Sequence, residues 1–481
     1  MLTHLLRVAK TSAVYSLGSL AEKGIGFFLI PMYTRYLTPE DYGILAMLGA
    51  VLSPMIVLSS MGVGGGLAMS YHQSDDVQER KRAVGTALAT VAIGGTVLLA
   101  VTLVLSTTLS NLFFSTAAYS IYFKLMGAAM FFEALLLIGL LVLRVQERAV
   151  RYVSVVLSKF LIGVGLNVLF IVGLGWGVQG ILLSMMISPL PVGLYVGAKL
   201  IREIRPRVSL AQFKSMVSYG MPLMFGSIIN QVMSLSDRYF IQFMVGSTEL
   251  GLYSLGCRFG MIVNALIVAP FMLAWGPFFW AVHQEPNAME TYARVTTYYL
   301  LIAGGVALIV AVLGKEAIQI MATPEFYPAH RVVPLISLAW VIHGLVNLMA
   351  LGVGLAKKTK WVPLVIGIGT VANLGLNFLL VPMWGMMGAA VATVVAFTVL
   401  PLGLLLASRR YYKVPYEWLR MGKIALAAGA VFGVSLLVST DAAYVNAIIK
   451  GMVLLAFPVV LYVTGFFEKE ELQKVRELIR R

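Results

Sequence analysis

Charge is what this chain has least of. Asp, Glu, Lys and Arg make up only 12% of its 481 residues, about half the share of a soluble domain. Too few charges remain to cover a water-facing surface, and no polar stretch is long enough to fold as a separate soluble domain. Cysteine is nearly absent too. Cys257 stands alone, which excludes an internal disulfide, and its apolar neighbours give it a packing role. The motifs of soluble enzymes are missing: there is no Walker loop to cradle ATP phosphates, no HExxH zinc helix, no Cys-rich metal spacing and no GxSxG elbow. The five histidines are dispersed. His343, inside an apolar run, reads as a helix-packing hydrogen-bonder. Nothing here points to an enzyme, a resident metal or a cofactor.

Long apolar runs fill the space that those absences leave. Apolar residues account for 59% of the chain, and the mean hydropathy is +0.89. A run of about 20 such residues crosses a hydrocarbon core about 30 Å thick. Spans are expected at 11–34, 42–69, 83–109, 119–143, 152–173, 178–199, 214–241, 250–274, 294–313, 331–355, 361–381, 386–407, 421–438 and 444–465. The turn Leu37-Thr38-Pro39-Glu40-Asp41 separates the first two, and Pro382 ends the eleventh. Residues 1–10 are short for a signal peptide, and the run behind them has no clear cleavage site, so a retained first helix is expected. The fold class is therefore an all-α polytopic membrane protein of about 14 transmembrane helices.

The net charge of +15 would suggest nucleic acid in a soluble protein. Here it is a topological feature, and no nucleic-acid partner is expected. With a cytoplasmic N-terminus, 27 Lys and Arg fall in inside segments and 3 in outside loops. Such a split is the positive-inside rule, and it predicts both termini in the cytoplasm.

The sequence also repeats. Gly18-Ser19 matches Gly226-Ser227, Asp41-Tyr42-Gly43 matches Glu249-Leu250-Gly251, and Trp176-Gly177 matches Trp384-Gly385, all at an offset of 208. Gly165-Leu166-Asn167 matches Gly375-Leu376-Asn377 at 210. The common offset argues that spans one to six are duplicated as spans seven to twelve. Six is even, so both copies keep one orientation, which implies two six-helix lobes about a pseudo-two-fold axis along the membrane normal. The expected division is an N-lobe at 1–208, a C-lobe at 209–415, an extra helix pair at 416–465 and a cytoplasmic tail at 466–481. The charge alternation after Glu468 reads as an interfacial amphipathic helix or a soluble tail.

A charge at the bilayer centre costs about 2.5–3.5 kcal/mol or more, so it usually faces a protein interior or a wet cavity. The spans hold Glu22, Lys23, Lys124, Glu133, Lys159, Asp237, Arg238, Arg258 and Lys450. The offset places Asn230-Gln231 opposite Glu22-Lys23, so the first helix of each lobe is polar at mid-membrane depth. Six cations against three anions predict a positive cavity suited to an anion. Lys23, Arg258, Lys159 and Arg238 are the candidate substrate cations. Arg binds phosphate as a planar fork and Lys as a point charge. Glu22, Asn230 and Gln231 are the candidate polar lining. Glu22, Glu133 and Asp237 are candidate ion-coupling carboxylates, although neighbouring cations favour simple pairing. Lys124 and Lys450 lie nearer the outer surface, where snorkelling is easier.

Three segments carry a family resemblance. Residues 31–43, Pro-Met-Tyr-Thr-Arg-Tyr-Leu-Thr-Pro-Glu-Asp-Tyr-Gly, resemble the first-loop signature of Wzx-type polysaccharide flippases, of the multidrug/oligosaccharidyl-lipid/polysaccharide exporter superfamily. Pro324-Glu325-Phe326-Tyr327-Pro328 is similar to that family's loop before the tenth helix. Asn373, Asn377 and Trp384-Gly385-Met386-Met387-Gly388 resemble its eleventh-to-twelfth helix junction. The resemblance implies a V-shaped two-lobed fold and alternating access. It implies an undecaprenyl-pyrophosphate-linked oligosaccharide as the substrate, moved from the cytoplasmic to the outer leaflet of a bacterial cytoplasmic membrane. In the related lipid II flippase, cations on helices one and eight line the cavity; here those helices carry Lys23 and Arg258. No cofactor is implied. Energy would come from a proton or sodium gradient or from the membrane potential. Membrane lipids and a polysaccharide polymerase or export machinery are the expected partners. Many Wzx-type proteins have twelve helices, so the extra pair departs from the pattern and by analogy would shelter the lipid tail. An ion-coupled multidrug exporter and a non-transporting scaffold of a secretion complex are the alternative functions.

Overall fold

The computed structural model describes residues 27, 29–204, 207–358, 360–438, 440, 442–468, 471 and 473, and among them all regular structure is helical. Eleven helical stretches of the described residues are long and apolar enough to cross a membrane; the chain is a multi-pass membrane protein. They contain twelve of the expected spans, because the eleventh and twelfth run together as Trp361–Ser408, interrupted only at Gly385 (φ 53°, ψ −131°). The seventh expected span is the 35-residue helix Leu210–Met244. It is less apolar, since Lys214, Asn230, Gln231, Asp237 and Arg238 lie along it. Most of the first expected span lies outside the described residues.

Contacts divide the chain into two compact units, Met1–Gly251 and Leu252–Arg481. The expected boundary at 208/209 follows the sequence repeat, whereas this one follows packing.

The first unit holds α1 (Ile30–Tyr36), α2 (Pro39–Ser59), α3 (Val63–Gln73), α4 (Val77–Phe114), α5 (Ser120–Val145), α6 (Ala149–Asn167), α7 (Gly177–Ile187), α8 (Pro189–Ile204) and α9 (Leu210–Met244). Local chemistry sets its breaks. Thr38 and Asp41 form a capping box at the start of α2, with Thr38 Oγ1 accepting from the Asp41 N–H at 3.2 Å and Asp41 Oδ2 accepting from the Thr38 N–H at 3.0 Å. Pro39 supplies a helical φ at the first position, where no donor is needed. Gly62 (φ 77°) separates α2 from α3, in a conformation that only glycine adopts cheaply. Hydroxyls within the spans return to the preceding turn: Thr90 donates to the Thr86 carbonyl at 2.8 Å and Thr102 to that of Leu98 at 2.7 Å. No water is needed to satisfy them. Val63, Leu67, Ala87, Val142, Val196 and Met216 bring α3, α4, α5, α8 and α9 into one core.

Apolar side chains gain little by leaving lipid for another helix, so close approach must hold such helices together. Gly43 and Gly251, which the offset of 208 pairs, show how close. A Cβ on Gly43 would lie 1.8 Å from the Ser247 carbonyl oxygen, and one on Gly251 would lie 1.8 Å from that of Pro39. Pro39 and Ser247 are also 208 apart, so this contact is symmetric in the terms of the repeat.

The second unit begins within α10 (Ser247–Gly260) and continues through α11 (Ala269–Val282), α12 (Ala288–Met321), α13 (Val333–Met349), α14 (Leu351–Leu355), α15 (Trp361–Ser408), α16 (Trp418–Leu436), α17 (Ala443–Leu454) and α18 (Ala456–Val463). Trp275, Phe279, Tyr292, Tyr299, Val341 and Leu348 form one core. A second core, with Leu308, Val312, Ile424, Val431, Phe457 and Leu461, packs α16 and α18 against α12.

Candidate functional site

In the first unit four of the intramembrane charges form two pairs. Lys159 Nζ on α6 donates to Glu133 Oε1 on α5 at 2.7 Å, with both side chains about one-fifth exposed. Arg238 Nη1 meets Asp237 Oδ1 at 3.3 Å, and the Arg238 N–H donates to the same oxygen at 2.9 Å. Asp237 is buried and Arg238 half-buried. The same guanidinium donates to the Ser234 carbonyl at 3.1 Å. Lys159 and Arg238 are thus neutralised where they stand. Gln231 accepts from Ser53 Oγ at 3.1 Å, and Asn230 is exposed. Lys124 is exposed. Glu22 and Lys23 lie outside the described residues.

In the second unit Arg258 stands out by exposure. Residues 253–257, 259 and 260 of α10 are buried, and Arg258 alone among them is exposed. A long cation exposed among buried neighbours projects away from the core of its own unit.

Lys450 departs from expectation. It does not snorkel. It is 6% exposed and donates to Glu316 Oε1 on α12 at 2.6 Å, with Glu316 itself 1% exposed. The other oxygen of Glu316 is buried without a hydrogen-bond partner. Sequence reasoning missed Glu316 because hydropathy ended the ninth span at 313, whereas α12 runs to Met321. The available signal was Lys450 itself, a buried cation in need of an acid. Ser53 was missed for a different reason, since a serine in an apolar run carries no signal of its partner.

A third group gathers where α16 meets the chain's last described residues. Arg420 of α16 reaches Glu471 at 2.9 and 3.0 Å, Glu417 at 3.2 Å and Glu468 at 3.5 Å. Tyr298 of α12 donates to Glu471 as well. Burial alone would raise the Glu471 pKa, but the Tyr298 hydroxyl, the Glu468 N–H and Arg420 outweigh it and hold the carboxyl below the usual carboxylate range. His343 lies between Trp340 and Phe397, with ring centroids 5.4 and 4.8 Å away, in a packing position.

A profile of the family described as "Polysaccharide biosynthesis protein" matches residues 8–283. An Lsg-locus protein of Haemophilus influenzae is 22% identical over 327 residues, covering 67% of this chain and 78% of its own. Among solved structures, the lipid II flippase MurJ in an inward closed conformation is similar with a TM-score of 0.76 and 14% identity, covering 95% of this chain and all of its own. A multidrug resistance MATE family transporter of the MOP superfamily, inward-facing, follows at 0.66 and 15%, covering 82% and 94%. At such identities the likeness is one of fold.

Proposed function

The chain belongs to the polysaccharide biosynthesis protein family, and from that premise we propose that it is a flippase for an undecaprenyl-pyrophosphate-linked oligosaccharide in a bacterial cytoplasmic membrane. The observation that carries this reading is the family match over residues 8–283. The flippase among its structural neighbours supports it. So does the charge pattern, because a pyrophosphate needs cations at membrane depth and the spans hold six.

The residues divide the work as follows. Lys23 and Arg258 attract the pyrophosphate, Arg258 from the exposed point of α10. Asn230 and Gln231 offer polar contacts to the glycan. Glu133 and Asp237, held by Lys159 and Arg238, are the coupling carboxylates: protonation of either would release its cation toward the substrate. The lobes at 1–208 and 209–415 alternate access between the two leaflets, both termini stay cytoplasmic, and the polyprenyl tail remains in lipid. A polymerase or export complex receives the product.

Translocation in proteoliposomes tests this, with wild type compared against Lys23→Ala and Arg258→Ala. Wild type should move the lipid-linked oligosaccharide. Each variant should slow it about tenfold or more, the order of a lost charge-assisted phosphate contact of ~1.5–3 kcal/mol. Variants that match wild type would remove Lys23 and Arg258 from the site. A wild type that moves nothing under any ion gradient would overturn the flippase reading. The MATE likeness favours a second reading, an ion-coupled small-molecule exporter. That reading predicts drug hypersensitivity in a deletion strain, and the flippase reading predicts none.

A further inference from the structure

Two cations of the second unit near the cytoplasmic surface have carboxylate partners. Arg420 is held by Glu417, Glu468 and Glu471, and Arg294 by Glu468. Arg409 and Arg410 differ. Among the described residues neither forms an ion pair. Glu417, the one acid between positions 409 and 418, is engaged by Arg420 at 3.2 Å. The two arginines lie over rings instead. The Arg409 guanidinium is 5.7 Å from the centroid of Trp418, and that of Arg410 is 5.4 Å from that of Trp361.

The position of Arg409 is built. Trp418 packs edge-to-face on Tyr416 at 5.6 Å, and buried Tyr416 donates its hydroxyl to the Leu348 carbonyl at 2.8 Å. Leu402, Leu405 and Leu406 of α15, with Trp418, line an open groove of about 490 Å³ whose rim carries Arg409. Leu402 and Leu406 are one turn apart and 51% and 64% exposed. Lys413 follows on the same loop, and Trp361 Nε1 donates to the Tyr411 hydroxyl at 3.3 Å, which ties in the loop carrying Lys357, Lys358 and Lys360. A cation that serves topology alone needs only a place in a loop. One seated on a ring at the mouth of an apolar groove, with no acid to neutralise it, suits an amphiphile with an anion above and hydrocarbon below.

We propose that this groove binds an anionic glycerophospholipid of the cytoplasmic leaflet, its phosphate on the Arg409 guanidinium and an acyl chain along Leu402 and Leu406. The charge of that leaflet complements the loop, and basic pockets between transmembrane helices on this side recognise such headgroups. The site would fasten the turn between α15 and α16 to the membrane, whatever the chain transports.

The test uses the full-length protein in detergent, titrated with phosphatidylglycerol or phosphatidylcholine and read by native mass spectrometry of retained lipid. Wild type should retain phosphatidylglycerol in preference. Arg409→Gln should lower its retention about fivefold, the effect of one interfacial cation. Arg151→Gln, which removes a cytoplasmic charge of the first unit, should not. Leu406→Trp fills the groove and leaves every charge in place, so it should also lower retention even if the arginine variant folds poorly. Equal retention of the two lipids, unchanged binding in either groove variant, or an equal loss in Arg151→Gln would each overturn the site. So would displacement by soluble glycerol phosphate at matching concentration, because the acyl chain would then contribute nothing.

Discussion

A carboxylate and an ammonium buried together in a membrane protein replace each other's water. Glu316 and Lys450 do this at 2.6 Å, and removing one partner leaves the other charge stranded. Glu316→Gln or Lys450→Met alone should destabilise the protein by about 3–5 kcal/mol, and the double variant should recover most of the loss. Thermal unfolding in detergent reads both; additive losses would show that the two residues act separately. The sequence displayed Lys450 as expensive but not its partner, 134 positions away. Local neighbours were legible. Asp237-Arg238 could be read as a pair because adjacency needs no fold, and Glu133 with Lys159 only as two charges on consecutive spans.

At the scale of the helix, glycine placement carries the information. Gly43 and Gly49 both lie in α2 and look alike in sequence. A Cβ on Gly43 would strike the Ser247 backbone at 1.8 Å, and one on Gly49 would meet nothing within 4 Å. Gly43→Ala and Gly251→Ala should therefore each cost about 3 kcal/mol or more, since backbone cannot yield as a side chain does. Gly49→Ala should be neutral or slightly stabilising, because alanine is the better helix former. Chemical denaturation curves in detergent would separate them, and equal effects at Gly43 and Gly49 would refute the close contact. Helix ends were legible where a cap announces them, as at Thr38-Pro39-Glu40-Asp41. The break between the eleventh and twelfth spans was legible as well: it was expected between 381 and 386, and Gly385 (φ 53°, ψ −131°) makes it.

For the whole molecule, the distribution of Lys and Arg makes the firmest claim. Phosphatase fusions, active only outside the cytoplasm, should be silent after residues 413 and 481 and active after residue 327. Activity at 413 would invert the proposed topology.

Hydrophobicity acts on each segment separately, so the sequence by itself determined that this chain is helical and crosses a membrane many times, and its local motifs determined that it belongs to the polysaccharide biosynthesis protein family. The repeat at 208 was legible for the same reason, since an offset needs no coordinates. Pairing was not, because an ion pair or a backbone contact depends on which helix faces come together. Only the tertiary structure decided that Lys450 is buried on Glu316, that Lys159 and Arg238 are neutralised in place, that Arg258 is exposed on a buried helix and that Arg409 sits on Trp418 above a groove.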